Sequence, residues 1–133
     1  MVLSGMGNME MMQDNTGYMK DFRPLNQEEM DLCRKAAELI NANIAIPCTG
    51  CAYCVDGCPM NIAIPKYFSL YNADKQEYEG KGFTPQGEYY DRLTHNFGKA
   101  SDCVECGACE EVCPQHLPIR DNLKLVAEYF EKH

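Results

Sequence analysis

The sequence predicts an all-α domain, two cysteine-rich loops caged by four to five helices with an approximate internal two-fold repeat. Three observations lead there. The block Cys48-Thr-Gly-Cys51-Ala-Tyr-Cys54-Val-Asp-Gly-Cys58-Pro59 returns as Cys103-Val-Glu-Cys106-Gly-Ala-Cys109-Glu-Glu-Val-Cys113-Pro114, each cysteine 55 residues after its counterpart. Apolar residues outside the blocks recur at helical spacing. The 44 residues between Cys58 and Cys103 contain no alternating β pattern of useful length.

Taken in order, the chain begins with Val2-Leu3-Ser4-Gly5, which reads as the end of a buried strand with no sheet here to join. Gly7-Asn8 then turns into a methionine-rich segment, Met9 to Met12, followed by Tyr18, Met19 and Phe22. That stripe suits a helix only roughly, Gly17 interrupts it, and packing is the expected role of its thioethers. Residues 1–22 are expected to be mobile or loosely packed, and residues 23–133 to form the domain. Asn26 and Glu29 make a capping box, with Leu25 and Met30 placed to staple across it. Met30, Cys33, Ala37 and Ile40 continue at helical spacing, widened by Ala36 and Leu39, which makes Cys33 an expected buried thiol.

Beyond Pro59 the repeat continues. Ile62-Ala63-Ile64 answers to Leu117-Pro118-Ile119, and Phe68 with Leu70-Tyr71 to Leu123 with Leu125-Val126. Each cysteine block therefore feeds an apolar elbow and then a helix, with Pro65 and Pro118 near the first turns. Asp74 to Gly82 is polar and reads as a surface loop. Thr84-Pro85 opens another helix, carrying Tyr89, Leu93 and Phe97 four apart, with Gly98 after its end.

The spacing C-x2-C-x2-C-x3-C-P is that of bacterial [4Fe–4S] ligation. Two intervening residues let the backbone wrap tightly, so three thiolates from one loop reach three iron corners. The fourth corner takes the cysteine before proline of the other block. One cluster is thus assigned to Cys48, Cys51, Cys54 and Cys113, and the other to Cys103, Cys106, Cys109 and Cys58. Zinc also takes four thiolates, and aerobic preparation is expected to leave such sites empty or zinc-filled, but structural zinc sites usually use two cysteines per block. Disulfides fit poorly, because there are nine cysteines and no secretory pattern at the N-terminus. His116, beside the Cys113-Pro114 elbow, is a candidate hydrogen-bond donor to a sulfur. Tyr53 is a candidate shield over a cluster, and His95 falls off its helical stripe and is expected in solvent. Glu105, Glu110 and Glu111 crowd the second block while the first has only Asp56, so the second cluster is expected to have the lower potential.

The formal charge is −8. Two oxidised cubanes with their thiolates bring the loaded protein to about −12. Such a balance argues against nucleic acid and anionic membrane surfaces, and for a partner with a basic docking face. The apolar share of 45% is ordinary but rich in Cys, Met and Tyr, so the fold is expected to lean on its metal centres. No apolar run approaches membrane-spanning length, and a reducing, cytoplasmic setting is the expectation.

Asp21-Phe-Arg-Pro-Leu-Asn-Gln-Glu-Glu-Met30, Ile46-Pro-Cys-Thr-Gly-Cys51 and Cys113-Pro-Gln-His-Leu-Pro-Ile-Arg120 resemble the C-terminal portion of the iron–sulfur-bearing branch of aldo/keto reductases. That resemblance implies an α-helical ferredoxin-like domain following a (β/α)8 barrel. Val2 to Met9 resembles the barrel's last strand and the start of its cofactor-phosphate loop. Gln13 and Asn15 match positions near the family's adenine-binding helix, too little to make a nucleotide site. The barrel itself is absent, and with it the Asp, Tyr, Lys and His that pass a hydride to a carbonyl. No catalytic residue is therefore assigned, and alone the chain is not expected to reduce carbonyls. The resemblance implies electron transfer to or from the chain's own barrel or a redox partner protein. The competing reading is structural, with clusters or zinc stapling a helical assembly domain.

Overall fold

A computed structural model describes residues 4–77 and 82–131. Among the described residues every named element is a helix, with no named strand and a single parallel bridge between Ile62 and Gly98. Of the strand end expected at residues 2–5, residues 2 and 3 lie outside the described residues, and Ser4 and Gly5 take no regular structure. The chain divides into two compact units, residues 1–38 and 39–133.

The first unit holds helix α1 (Met9–Lys20) and most of α2 (Gln27–Asn41). Asn8 caps α1 by accepting from the Met11 N–H at 2.9 Å, and the methionine-rich stretch is helical through Gly17. The capping box of α2 forms as its sequence requires. Asn26 Oδ1 accepts from the Glu29 N–H at 3.0 Å, and Glu29 Oε2 accepts from the Asn26 N–H at 2.8 Å. Neither helix buries a residue. Cys33, expected inside a packed stripe, is exposed, as are Leu39 and Ile40. An amphipathic period shows which face of a helix can be covered, not that the same chain covers it.

The second unit is built from α3 (Ile64–Glu77), α4 (Pro85–Thr94), a 3-10 turn (Ala100–Asp102), α5 (Ala108–Glu111) and α6 (Ile119–Phe130). Helix α3 packs against α4 and α6, and α6 also packs against the 3-10 turn and α5. Tyr67, Phe68, Leu123 and Val126 form the centre of the core, each at most 1% exposed. Helix α3 runs on through Asp74, which is 1% exposed and not part of a surface loop. Of that expected loop, residues 78–81 lie outside the described residues.

Thr84 caps α4 by accepting from the Gly87 N–H at 3.1 Å. The core-facing ring of α4 is Tyr90, at 1% exposed, whereas Tyr89 is 59% exposed. Of the expected Tyr89–Leu93–Phe97 stripe, Leu93 and Phe97 are half-buried against the core, Phe97 from beyond the helix end, while Tyr89 faces solvent. Tyr90 stands between Tyr67 and Phe130, with ring centroids 4.7 and 4.9 Å away. Its hydroxyl accepts from the Ala100 N–H at 2.9 Å and donates to Glu131. Gly98 does not end the helix in a left-handed cap. It lies against the first elbow, where its N–H donates to Asn61 O at 3.1 Å and its carbonyl accepts from Tyr67 at 2.8 Å.

At Gly98 a Cβ would come within 2.2 Å of the Met60 carbonyl oxygen. Gly98→Ala is therefore expected to cost about 1–3 kcal/mol by forcing the connecting chain off the elbow. Denaturant midpoints should fall, whereas Gly57→Ala, with nothing within 4 Å, should leave them nearly unchanged.

Candidate metal centres

The two cysteine blocks fold as copies. Left-handed backbone occurs at Gly50 and Glu105 (φ 70° and 55°), at Ala52 and Gly107 (66° and 83°), and at Asn61 and His116 (51° and 50°). Each pair is separated by the 55-residue repeat. Four of these six residues are not glycine and carry the steric cost of that conformation. The elbow turns match as well: Asn61 N–H donates to Cys58 O, and His116 N–H to Cys113 O, both at 3.0 Å. Ile64 N–H to Ile62 O and Ile119 N–H to Leu117 O are both 2.8 Å.

These turns place the thiols. Cys54 and Cys109 are buried, Cys48, Cys58, Cys103 and Cys113 half-buried, and Cys51 and Cys106 exposed, so every repeat-related pair shares its burial. Cys48, Cys51, Cys54 and Cys113 line one void, with about 340 Å³ free of protein atoms, part of it open to solvent. Cys58, Cys103, Cys106 and Cys109 line a second of about 320 Å³. The remaining walls are mainly apolar: Ile64, Phe68, Leu117 and Ile119 around the first, Ile62, Ile64 and Leu123 around the second. Ile64 borders both. Four soft thiolate donors round a dry-walled void fit an iron–sulfur cubane. Among the described residues no three His, Cys, Asp or Glu side chains converge closely enough to chelate a single ion.

Different devices anchor the segments leading into the two blocks. Asn72 on α3 grips Ile46, its Oδ1 accepting from the Ile46 N–H at 2.9 Å and its Nδ2 donating to the Ile46 carbonyl at 2.7 Å. The second lead-in is held at Ala100 by Tyr90 and at Ser101, whose N–H donates to Glu131 Oε1 at 3.2 Å. Burial alone would raise the Glu131 carboxyl, but hydrogen bonds from Ser101 and Tyr90 outweigh it and hold it below its ordinary range. Burial pushes the Cys54 thiol up to about 11 and raises Cys109 too. Metal loading must therefore displace protons from both.

The sequence reading missed one sulfur contact, the Ile62 N–H reaching Cys58 Sγ at 3.5 Å. A backbone donor leaves no residue-type signal to find. His116 instead serves the elbow through its backbone and is exposed; His95 is exposed as expected. Tyr53 lines the first void yet is 66% exposed.

The acidic excess of the second block is largely cancelled. Arg120 binds Glu110 Oε2 through Nε and Nη2 at 3.0 and 2.8 Å, and Lys124 Nζ lies 3.1 Å from Glu105. The basis for expecting a lower potential there is thus removed for two of the three carboxylates. The pair also substitutes for part of the first block, since Glu110 and Arg120 stand at the repeat positions of Val55 and Pro65. Pro65 has no N–H to satisfy; Arg120 has one, and Glu110 Oε1 accepts it at 2.9 Å.

The 4Fe-4S dicluster domain family matches residues 47–117. The C subunit of the ion-translocating oxidoreductase complex of Buchnera aphidicola subsp. Acyrthosiphon pisum is 32% identical over 72 residues, 54% of this chain and 12% of that protein. The alpha 1 subunit of the acetyl-CoA decarbonylase/synthase complex of Methanosarcina barkeri is 28% identical over 87 residues, 65% of this chain and 9% of that protein. The chain thus spans about a tenth of the length of these curated relatives. No solved structure matches significantly.

Brief anaerobic alkylation of chelator-stripped protein should label Cys51, Cys106 and Cys33 first. Cys54 and Cys109 should trail by about ten-fold or more, since burial limits both access and thiolate. Equal labelling by peptide mass spectrometry would show that the loops do not keep this geometry without metal.

Proposed function

The chain belongs to the 4Fe-4S dicluster domain family, and from that premise we propose that it relays electrons between an external one-electron donor and the active site of an oxidoreductase to which it is attached or docked. Two [4Fe-4S] clusters are its cofactors and electron transfer is its chemistry. When bound, each cluster takes up and returns one electron.

The chain's own residues do the rest. Cys48, Cys51, Cys54 and Cys113 hold the first cluster, and Cys103, Cys106, Cys109 and Cys58 the second. The observation that carries this partition is that each set of four lines its own void. Ile62, Ile64, Leu117 and Ile119 keep water from the inner cluster faces, lowering the local dielectric that helps set potential. Cys51 and Cys106, the exposed thiols, mark the side from which an electron partner reaches each site.

The parent is proposed to be an aldo/keto reductase-like oxidoreductase, with residues 1–22 as the end of its barrel and linker and 23–133 as the electron-transfer domain. The support is the sequence likeness at Asp21 to Met30 and at Cys113 to Arg120, together with the open apolar side chains of Met9, Met12, Tyr18, Met19 and Phe22. Exposed apolar groups in that density suit a covering protein surface. The two relatives are, by name, subunits of complexes, which agrees with a protein partner. The net charge of −8 favours a basic face on that partner. No helix among the described residues is long and apolar enough to cross a membrane. We place the chain in a reducing, cytoplasmic setting, where its thiols stay available for iron.

Iron and acid-labile sulfide on anaerobically reconstituted protein should each reach about eight per chain, with visible absorbance bleached by dithionite. Cys48→Ser and Cys113→Ser should remove the same EPR signal, and Cys58→Ser the other. If Cys113→Ser instead removed the signal lost in Cys103→Ser, the partition would fail while the count stood. Zinc without sulfide would leave a structural metal domain.

A further inference from the structure

The two voids are lined by repeat-related residues, several of which differ in size, but only one exchange among them, Pro65 for Arg120, changes charge. In the first block Val55 and Pro65 are apolar. In the second their counterparts are Glu110 and Arg120, joined by two side-chain bonds and by the Arg120 backbone N–H at 2.9 Å. Glu110 directly follows Cys109, and Arg120 lines the second void where Pro65 lines the first. A bare carboxylate there would oppose adding an electron to the second cluster, and the guanidinium offsets it. We propose that Arg120 is a potential-tuning residue, its ion pair with Glu110 keeping the cluster of Cys58, Cys103, Cys106 and Cys109 reducible despite the acidic block that surrounds it. The inference rests on the two-cluster reading above and deepens it.

The geometry separates this role from plain packing. Glu110 satisfies a helix N-terminal N–H that Pro65 does not have, so a structural account explains why the two residues came as a pair. It does not explain a response whose sign follows charge. Removing Arg120 exposes the carboxylate; removing Glu110 exposes the guanidinium. Loss of packing alone would move both variants in one direction.

The test is redox titration of the reconstituted full chain, followed by EPR so that the two clusters are read separately, after iron and sulfide have been counted. In Arg120→Gln the reduction equilibrium of the second cluster should shift toward the oxidised form by up to about ten-fold, or about 59 mV for one electron. Glu110→Gln should shift it the other way, and the first cluster should move much less in both. Arg120→Lys should recover most of the change. The double variant Glu110→Val with Arg120→Pro gives the second site the first site's residues at these two positions. It guards against a single variant that fails to load, and it should bring the two potentials closer together. Full iron and sulfide with unmoved potentials, or shifts of the same sign in the two Gln variants, would overturn this proposal and leave the two-cluster reading intact. Wild-type chain that takes up no iron would overturn both.

Discussion

Everything in residues 39–133 depends on one constraint, that neither cysteine block can surround a void alone. The loop Cys48–Cys54 supplies three walls and Cys113 closes the fourth; Cys103–Cys109 is closed by Cys58. The chain must therefore cross twice between the sites, and the crossing elbows must be rigid. Their rigidity comes from left-handed backbone at Asn61 and His116 and from short turns locked at 2.8 Å on either side. Helices α3 and α6 then start from equivalent places and pack face to face, which puts Ile64 at the wall shared by both voids.

What the sequence disclosed and what it hid divide along physical lines. Cysteine spacing, the Asn26–Glu29 box and the Thr84-Pro85 start are local, and the structure repeats each of them. The role of Tyr90 over Tyr89 is not local: it is decided by a hydroxyl that meets Ala100 and Glu131, 10 and 41 residues away. Gly98 read as a helix stop, yet its lack of a side chain answers to the Met60 carbonyl on a distant turn. The charge excess of the second block was visible, but the cations that cancel it sit on α6 at Arg120 and Lys124. Composition of a loop says nothing about which helix will lean over it. Cys33 and its stripe show the reverse limit, a periodic helical face that stays exposed among the described residues.

The division of labour between the two ends of the chain follows. The cysteine-bearing unit has a closed core in which tyrosines are the largest buried groups; burial pushes the Tyr67 hydroxyl up to about 12. The N-terminal helices carry Met, Leu and aromatic side chains into the open. Methionine suits such a surface, since its flexible thioether chain adapts to whatever shape it meets.

The exchange of the fourth cysteine has a consequence for a single repeat taken by itself. Half of this unit, one loop, one elbow and one helix, presents three thiols on one side and a fourth aimed away from them. It could complete its own site only against an identical half turned through a half-rotation, giving and receiving the same group across the axis. The covalent join between the halves makes that handshake intramolecular. The join also frees the two hands to differ, and Val55 with Pro65 against Glu110 with Arg120 is one place where they do.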